Sequence, residues 1–140
     1  MGQQQLLLIV LGVIIVGIAI AVGINLFNAN SISSNRDAIV SDLNNLAAMA
    51  HEYYSKPTAM GGGSSGNSSS YVNFTMPTGL SSNANGAYTI LTPGAGTGAT
   101  STITFQGVGT QIVTGSNYVT EVILVKVPPL ADSCAPVNGH

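Results

Sequence analysis

The sequence predicts an α+β fold: a long N-terminal helix, apolar in its first half and amphipathic in its second, packed on a small antiparallel β-sheet domain. Three observations predict it: an uncharged apolar run, a helical apolar stripe that continues to Pro57, and short β-rich runs beyond residue 70 separated by Gly, Asn and Pro. The expected organisation is a helix over 1–56, apolar over 1–27 and amphipathic over 28–56. A Gly/Ser-rich loop over 57–70 and an antiparallel β domain with an extended tail over 71–140 follow.

The opening run, QQQLLLIVLGVIIVGIAIAVGINLF, occupies residues 3–27. From Leu6 to Ile24 it holds no charge and no strongly polar side chain, the length at which a helix crosses a hydrocarbon core of about 30 Å. A secretory signal peptide has a basic start and a shorter apolar stretch, whereas no Lys or Arg precedes this run. Leu6, Leu7, Leu8, Ile9, Val10, Leu11, Val13, Ile14, Ile15, Val16, Ile18, Ile20, Val22 and Ile24 form the candidate assembly surface. Gly12, Gly17 and Gly23 let a neighbouring helix approach closely, and they loosen their own helix by up to about 1 kcal/mol each relative to Ala. A single-span anchor with incidental glycines is the alternative for this segment.

The helical pattern does not stop at the end of the apolar run. Ile39, Leu43, Leu46, Ala50 and Tyr53 recur at i, i+4, i+7, i+11 and i+14, flanked by Val40, Ala47 and Tyr54, while Asp42, Asn45 and Glu52 fall outside the stripe. Asp37 lies early in this half and Lys56 at its end, the order that complements a helix dipole, and Pro57 forbids continuation. One helix to Ser55 or Lys56 would be roughly 80 Å long. Asn25 to Asn35 carries Asn and Ser that compete for backbone hydrogen bonds, so a kink, an unwound turn or mobility is expected there.

Residues 57–70 read as an exposed loop, because their density of Gly and Ser cannot bury a core. Strands are expected over 71–75, 87–92, 101–107, 110–114 and 118–127, with turns at 107–109 and 114–117. Ile103 and Phe105 alternate with Thr102 and Thr104, giving one buried and one wet face. The last strand is apolar on both sides, so it is expected to be central or covered on its second face by the helix. The closing residues, PPLADSCAPVNGH, are expected to be extended, on the surface or against a neighbour.

Charge and composition exclude several classes of function. Only 6% of residues are charged and the formal net charge is −2, with three basic residues, so no footprint for nucleic-acid phosphates exists. Cys134 is the only cysteine, which rules out an intrachain disulfide and a cysteine-rich metal site. His51 and Glu52 are adjacent on a helix and point in different directions, so they make no acid–base pair. No catalytic, metal-binding or cofactor-binding constellation is present, and no enzyme activity is expected. Asn67-Ser68-Ser69 and Asn73-Phe74-Thr75 match the N-glycosylation pattern, making Asn67 and Asn73 candidate sugar sites in a chain with few charges for solubility.

An apolar N-terminal helix continuing into an amphipathic half, then a loop, then a small antiparallel sheet resembles the type IV pilin family. The resemblance implies export by a dedicated assembly machinery, processing and N-terminal methylation by a prepilin peptidase with Met1 as the candidate residue, and residence in the cytoplasmic membrane before assembly. It implies self-association into an extracellular helical fibre on the cell surface, whose core is the bundled apolar helices. Family members commonly carry a glutamate at the fifth mature position. Gln5 stands there if Met1 is the first residue, and Leu7 if cleavage follows Gly2. The chain lacks the proline that often kinks the first helix of bacterial pilins and the cysteine pair that bounds their variable loop. Bacterial and archaeal origins both stay open, as do the fibre's purpose, a membrane-anchored binding module, and a pseudopilin of a secretion system.

Overall fold

A computed structural model describes residues 2–66 and 68–126. Met1, Asn67 and the C-terminal tail, on which three of the expectations above fall, lie outside the described residues. The architecture is α+β: one long helix packed on a small antiparallel sheet.

Helix α1 runs unbroken from Gly2 to Ser55, which at about 1.5 Å per residue makes it roughly 81 Å long. Of the features expected within Asn25–Asn35, the unwound turn is absent. Each Asn or Ser lowers helix propensity by only a few tenths of a kcal/mol, while propagation from a formed helix adds one hydrogen bond per residue. Asn35 also directs its side-chain amide to a tertiary partner, donating from Nδ2 to the Asn85 carbonyl at 2.8 Å. The helix ends where Pro57 requires. Its last carbonyls are taken up by the returning chain, with Gly63 N donating to Tyr53 O at 2.8 Å and Ser64 N to Lys56 O at 3.0 Å.

The loop expected over 57–70 is mostly exposed, and its described residues fold back on the helix end. They hold a 3₁₀ turn over Thr58–Met60 and a two-stranded ribbon of β1 (Ser64–Ser65) and β2 (Ser68–Ser69). Gly62 is buried, and a side chain there would run into the Lys56 main chain. The strand expected over 71–75 is instead an irregular turn, with Phe74 N donating to Tyr71 O at 3.1 Å and Asn73 in the left-handed region at φ 66. Tyr71 is fixed by packing and by its backbone N–H, which donates to Ser101 Oγ at 2.9 Å, and not by a strand ladder. A four-residue helix α2 (Thr78–Ser81) follows Pro77.

The main sheet comprises β3 (Gly86–Ala95), β4 (Thr102–Thr114) and β5 (Asn117–Lys126), in the order β3-β4-β5 and antiparallel throughout. Two of the expected strands, 101–107 and 110–114, are one, because Gly107 and Gly109 lie inside β4 and make no turn there. A Cβ on Gly107 would sit 2.6 Å from Ile39 Cγ2, and one on Gly109 would strike the Asn35 side chain. The two glycines are where the sheet presses against the helix. The turn expected at 114–117 is present, with Gly115 at φ 62. Strand β5 is an edge strand rather than a central one, and the helix does not cover its second face: Val122 is 53% and Leu124 54% exposed.

Ile39, Leu43, Leu46 and Ala50 on α1 are buried against Tyr71, Tyr88, Ile103, Phe105, Val119 and Val125. Tyr53 is half-buried, and Ala47 and Tyr54 pack at the margin. The aromatic side of this core is built from edge-on pairs, Tyr53–Phe74 at 5.5 Å and Phe74–Phe105 at 5.8 Å between ring centroids.

Candidate functional site

The buried residues of α1 are Ile39, Leu43, Leu46 and Ala50; among the described residues nothing covers the first half of the helix in the same way. From Leu6 to Phe27, sixteen large apolar side chains are exposed, the least so Leu11 at 49% and the most so Phe27 at 72%. At 3.6 residues per turn they occupy every direction around the axis, so no single face can be turned away from solvent. A Cβ added at Gly12, Gly17 or Gly23 would meet nothing within 4 Å, so no contact among the described residues requires a glycine there. This segment is long and apolar enough to cross a membrane. Each large side chain transferred from water into an apolar environment contributes about 1.5–3 kcal/mol, so covering the sixteen would contribute on the order of 24–48 kcal/mol as an upper bound.

The second half of α1 is bolted to the sheet domain by polar contacts that set the rod's direction. Asp42 Oδ2 accepts hydrogen bonds from Asn83 Nδ2 at 2.8 Å, Asn85 Nδ2 at 3.0 Å and Tyr88 Oη at 2.6 Å. The Asn85 amide, then the Tyr88 hydroxyl, hold the Asp42 carboxyl below the usual carboxylate range against the opposing effect of burial. Tyr88 is pushed up, first by burial and then by its bond to Asp42. Arg36 pairs with Glu121 on β5. Sequence reading placed Asp42 only off the apolar stripe. The Asn-rich turn at 83–86 was the one available signal of its partners.

A pH dependence follows from Asp42. Its folded-state pKa is lowered, so the stability it contributes is present above the ordinary carboxylate pKa of about 4 and is lost as pH falls through the lowered value. Thermal unfolding of the full chain in detergent should show this loss below about pH 4. Asp42→Asn should lower stability at neutral pH by about 1–2 kcal/mol and flatten the acid limb. An unchanged acid limb in that variant would remove Asp42 as its source.

The Tyr71 side chain is fully buried, and its hydroxyl has no hydrogen-bond partner among the described residues. Burial, then the neighbouring Tyr54, push its pKa up. Tyr71→Phe removes an unpaired polar group and keeps the ring, so the unfolding midpoint should hold or rise. A drop of more than about 1 kcal/mol would reveal a partner for the hydroxyl.

His51 is exposed, edge-on to the Tyr54 ring at 6.3 Å, and Glu52 beside it is exposed too. Among the described residues no group of His, Cys, Asp and Glu is arranged to hold a metal ion. Asn73 and Thr75 are exposed, which leaves that sequon accessible.

Set beside protein-family models, curated proteins and solved structures, the chain matches none. The functional reading therefore stands on geometry and composition: an unbroken helix whose first half is apolar and, among the described residues, uncovered on all sides, carrying a small sheet domain.

Proposed function

We propose that this chain is a structural subunit, a major pilin, of a type IV pilus-like extracellular filament. The apolar halves of α1 from many copies bundle into its core and the sheet domains form its outer surface. The observation that carries the reading is the all-round exposure of Leu6 to Phe27 on a helix that continues without a break into a folded head. An anchor needs only to cross a membrane. A polymer core needs in addition a stiff connection to its head, so that each helix sets the position of its domain, and α1 supplies one.

Before assembly the same segment would reside in the cytoplasmic membrane, and the partners are further copies of the chain, an assembly machinery and a prepilin peptidase acting near Met1. The fibre is stabilised by apolar burial and requires neither a disulfide nor a cofactor. Gln5 can accept a hydrogen bond from a neighbouring amino group, though it supplies no charge.

The deciding experiment is mass spectrometry of the N-terminal peptide from material sheared off intact cells and pelleted at high speed. An abundant chain with a processed, methylated first residue supports the filament. A chain that stays in the membrane fraction with an unprocessed start reduces the apolar run to a single-span anchor presenting a small β module.

A further inference from the structure

We propose that the tip of the β4–β5 hairpin, together with Phe27, seats in the headgroup layer of a lipid bilayer and so fixes how far the head stands from the membrane before assembly. This rests on the reading above, in which the apolar half of α1 spans a membrane at that stage.

The helix-facing side of β4 is buried at Ile103, Phe105, Gly107 and Gly109, and that cover ends at Thr110. Beyond it, Ile112 is 51% and Val113 50% exposed. Consecutive strand residues point to opposite faces, so the tip is open on both. Tyr118, directly across from Ile112 in the ladder, is 49% exposed. The turn itself, Thr114 to Asn117, is polar, but the residues that flank it place two large aliphatic side chains and a tyrosine in solvent, and the sequence has no charge from Thr100 to Thr120.

The position of the tip identifies its partner. Ile112 and Val113 share a cleft with Asn28 and Ile32 of α1, immediately past the end of the apolar run. Measured along the axis, Asn28 and Ile32 lie about 1.5 and 7.5 Å beyond Phe27. The headgroup layer on each side of a bilayer is about 5–8 Å deep. With Phe27 at the hydrocarbon boundary, the tip therefore falls inside that layer, where an amphipathic tyrosine is favoured and an uncharged backbone turn still meets water. No charged residue separates the two regions, since the first on α1 is Arg36.

The chain contains no tryptophan, so a single introduced indole reports its own surroundings. The full chain would be placed, one copy per disc, in nanodiscs of phosphatidylethanolamine and phosphatidylglycerol that include lipid brominated near the headgroup. Ile112→Trp is the probe, Val122→Trp the control about 13 Å further along β5, and Ile15→Trp with lipid brominated deep in the chain the report on spanning. The expected result is loss of Ile112→Trp emission to the shallow bromines and protection from aqueous iodide, with Val122→Trp showing neither. If Ile15→Trp is quenched by deep bromines while Ile112→Trp behaves like Val122→Trp, the helix spans, the tip stands clear of lipid, and this proposal alone is overturned. Shielding of Ile112→Trp that appears only in discs holding several copies would assign the tip to a neighbouring subunit and also overturn it. Failure of Ile15→Trp to be quenched would remove the spanning premise and the proposal with it.

Discussion

Ile15→Asp is expected to abolish filaments while leaving the head folded. Ile15 lies in the middle of the uncovered run and is 58% exposed in the single subunit, so nothing among the described residues would relieve a charge placed there. Burying an unpaired carboxylate at the centre of an apolar helix costs about 2.5–3.5 kcal/mol on membrane-insertion scales, and a filament repeats that cost in every copy. A dry core also puts the charges of neighbouring subunits near one another without screening water. The buried part of α1 begins at Ile39, 24 residues and about 36 Å further along, beyond the reach of the substitution. Yield of sheared filaments is the primary readout, with thermal unfolding of the head in detergent as control. Filaments of normal yield from Ile15→Asp would count strongly against the helical core.

The second large effect is expected at Phe105. Phe105 is fully buried on β4, the central strand of the main sheet among the described residues, where it lies between Ile90 and Ile123 in register. Its ring meets Phe74 edge-on at 5.8 Å, so it joins the sheet to the turn that holds Tyr71. Phe105→Ala should cost about 3–5 kcal/mol, because Gly107 and Gly109, next along the same face of β4, already bring helix and sheet into contact and leave little room for collapse into the cavity. Total stability of a domain this size is about 5–15 kcal/mol, so the unfolding midpoint should fall by more than about 10 °C and the variant should accumulate poorly. Leu124→Ala, on the open face of β5, should change stability by less than about 1 kcal/mol. Comparable losses at the two positions would mean that the second face of the sheet is covered.

Much of α1 was legible because helix signals are local. The stripe Ile39, Leu43, Leu46, Ala50, Tyr53 follows the helical period, Pro57 removes a backbone donor and clashes with the preceding turn, and the first four stripe residues are buried while Tyr53 is half-buried. The alternation at Ile103 and Phe105 was legible for the same reason. The strand map beyond residue 70 was less so. Gly107 and Gly109 look like a turn, since glycine is the commonest turn residue, yet they lie inside a strand so that Ile39 and Asn35 can come close. The run at 71–75 has strand composition, but Tyr71 and Phe74 are held by rings on other elements. The Asp42 cluster joins residues more than forty positions apart, and no period or motif links them.

The candidate site divides along the same line. By itself the sequence determined that residues 6–27 are apolar, uncharged and helical, and that the helix continues through an amphipathic half to Pro57, because propensity and periodicity act within a few residues. Only the tertiary structure decided that the head covers α1 solely on its second half, that β5 is an edge with one open face, and that the hairpin tip lies beside the end of the apolar run. Those outcomes depend on which distant surfaces meet, and side-chain bulk set them: the absence of a Cβ at two positions of β4 let sheet and helix close on each other, while the apolar half of α1 found no partner among the described residues.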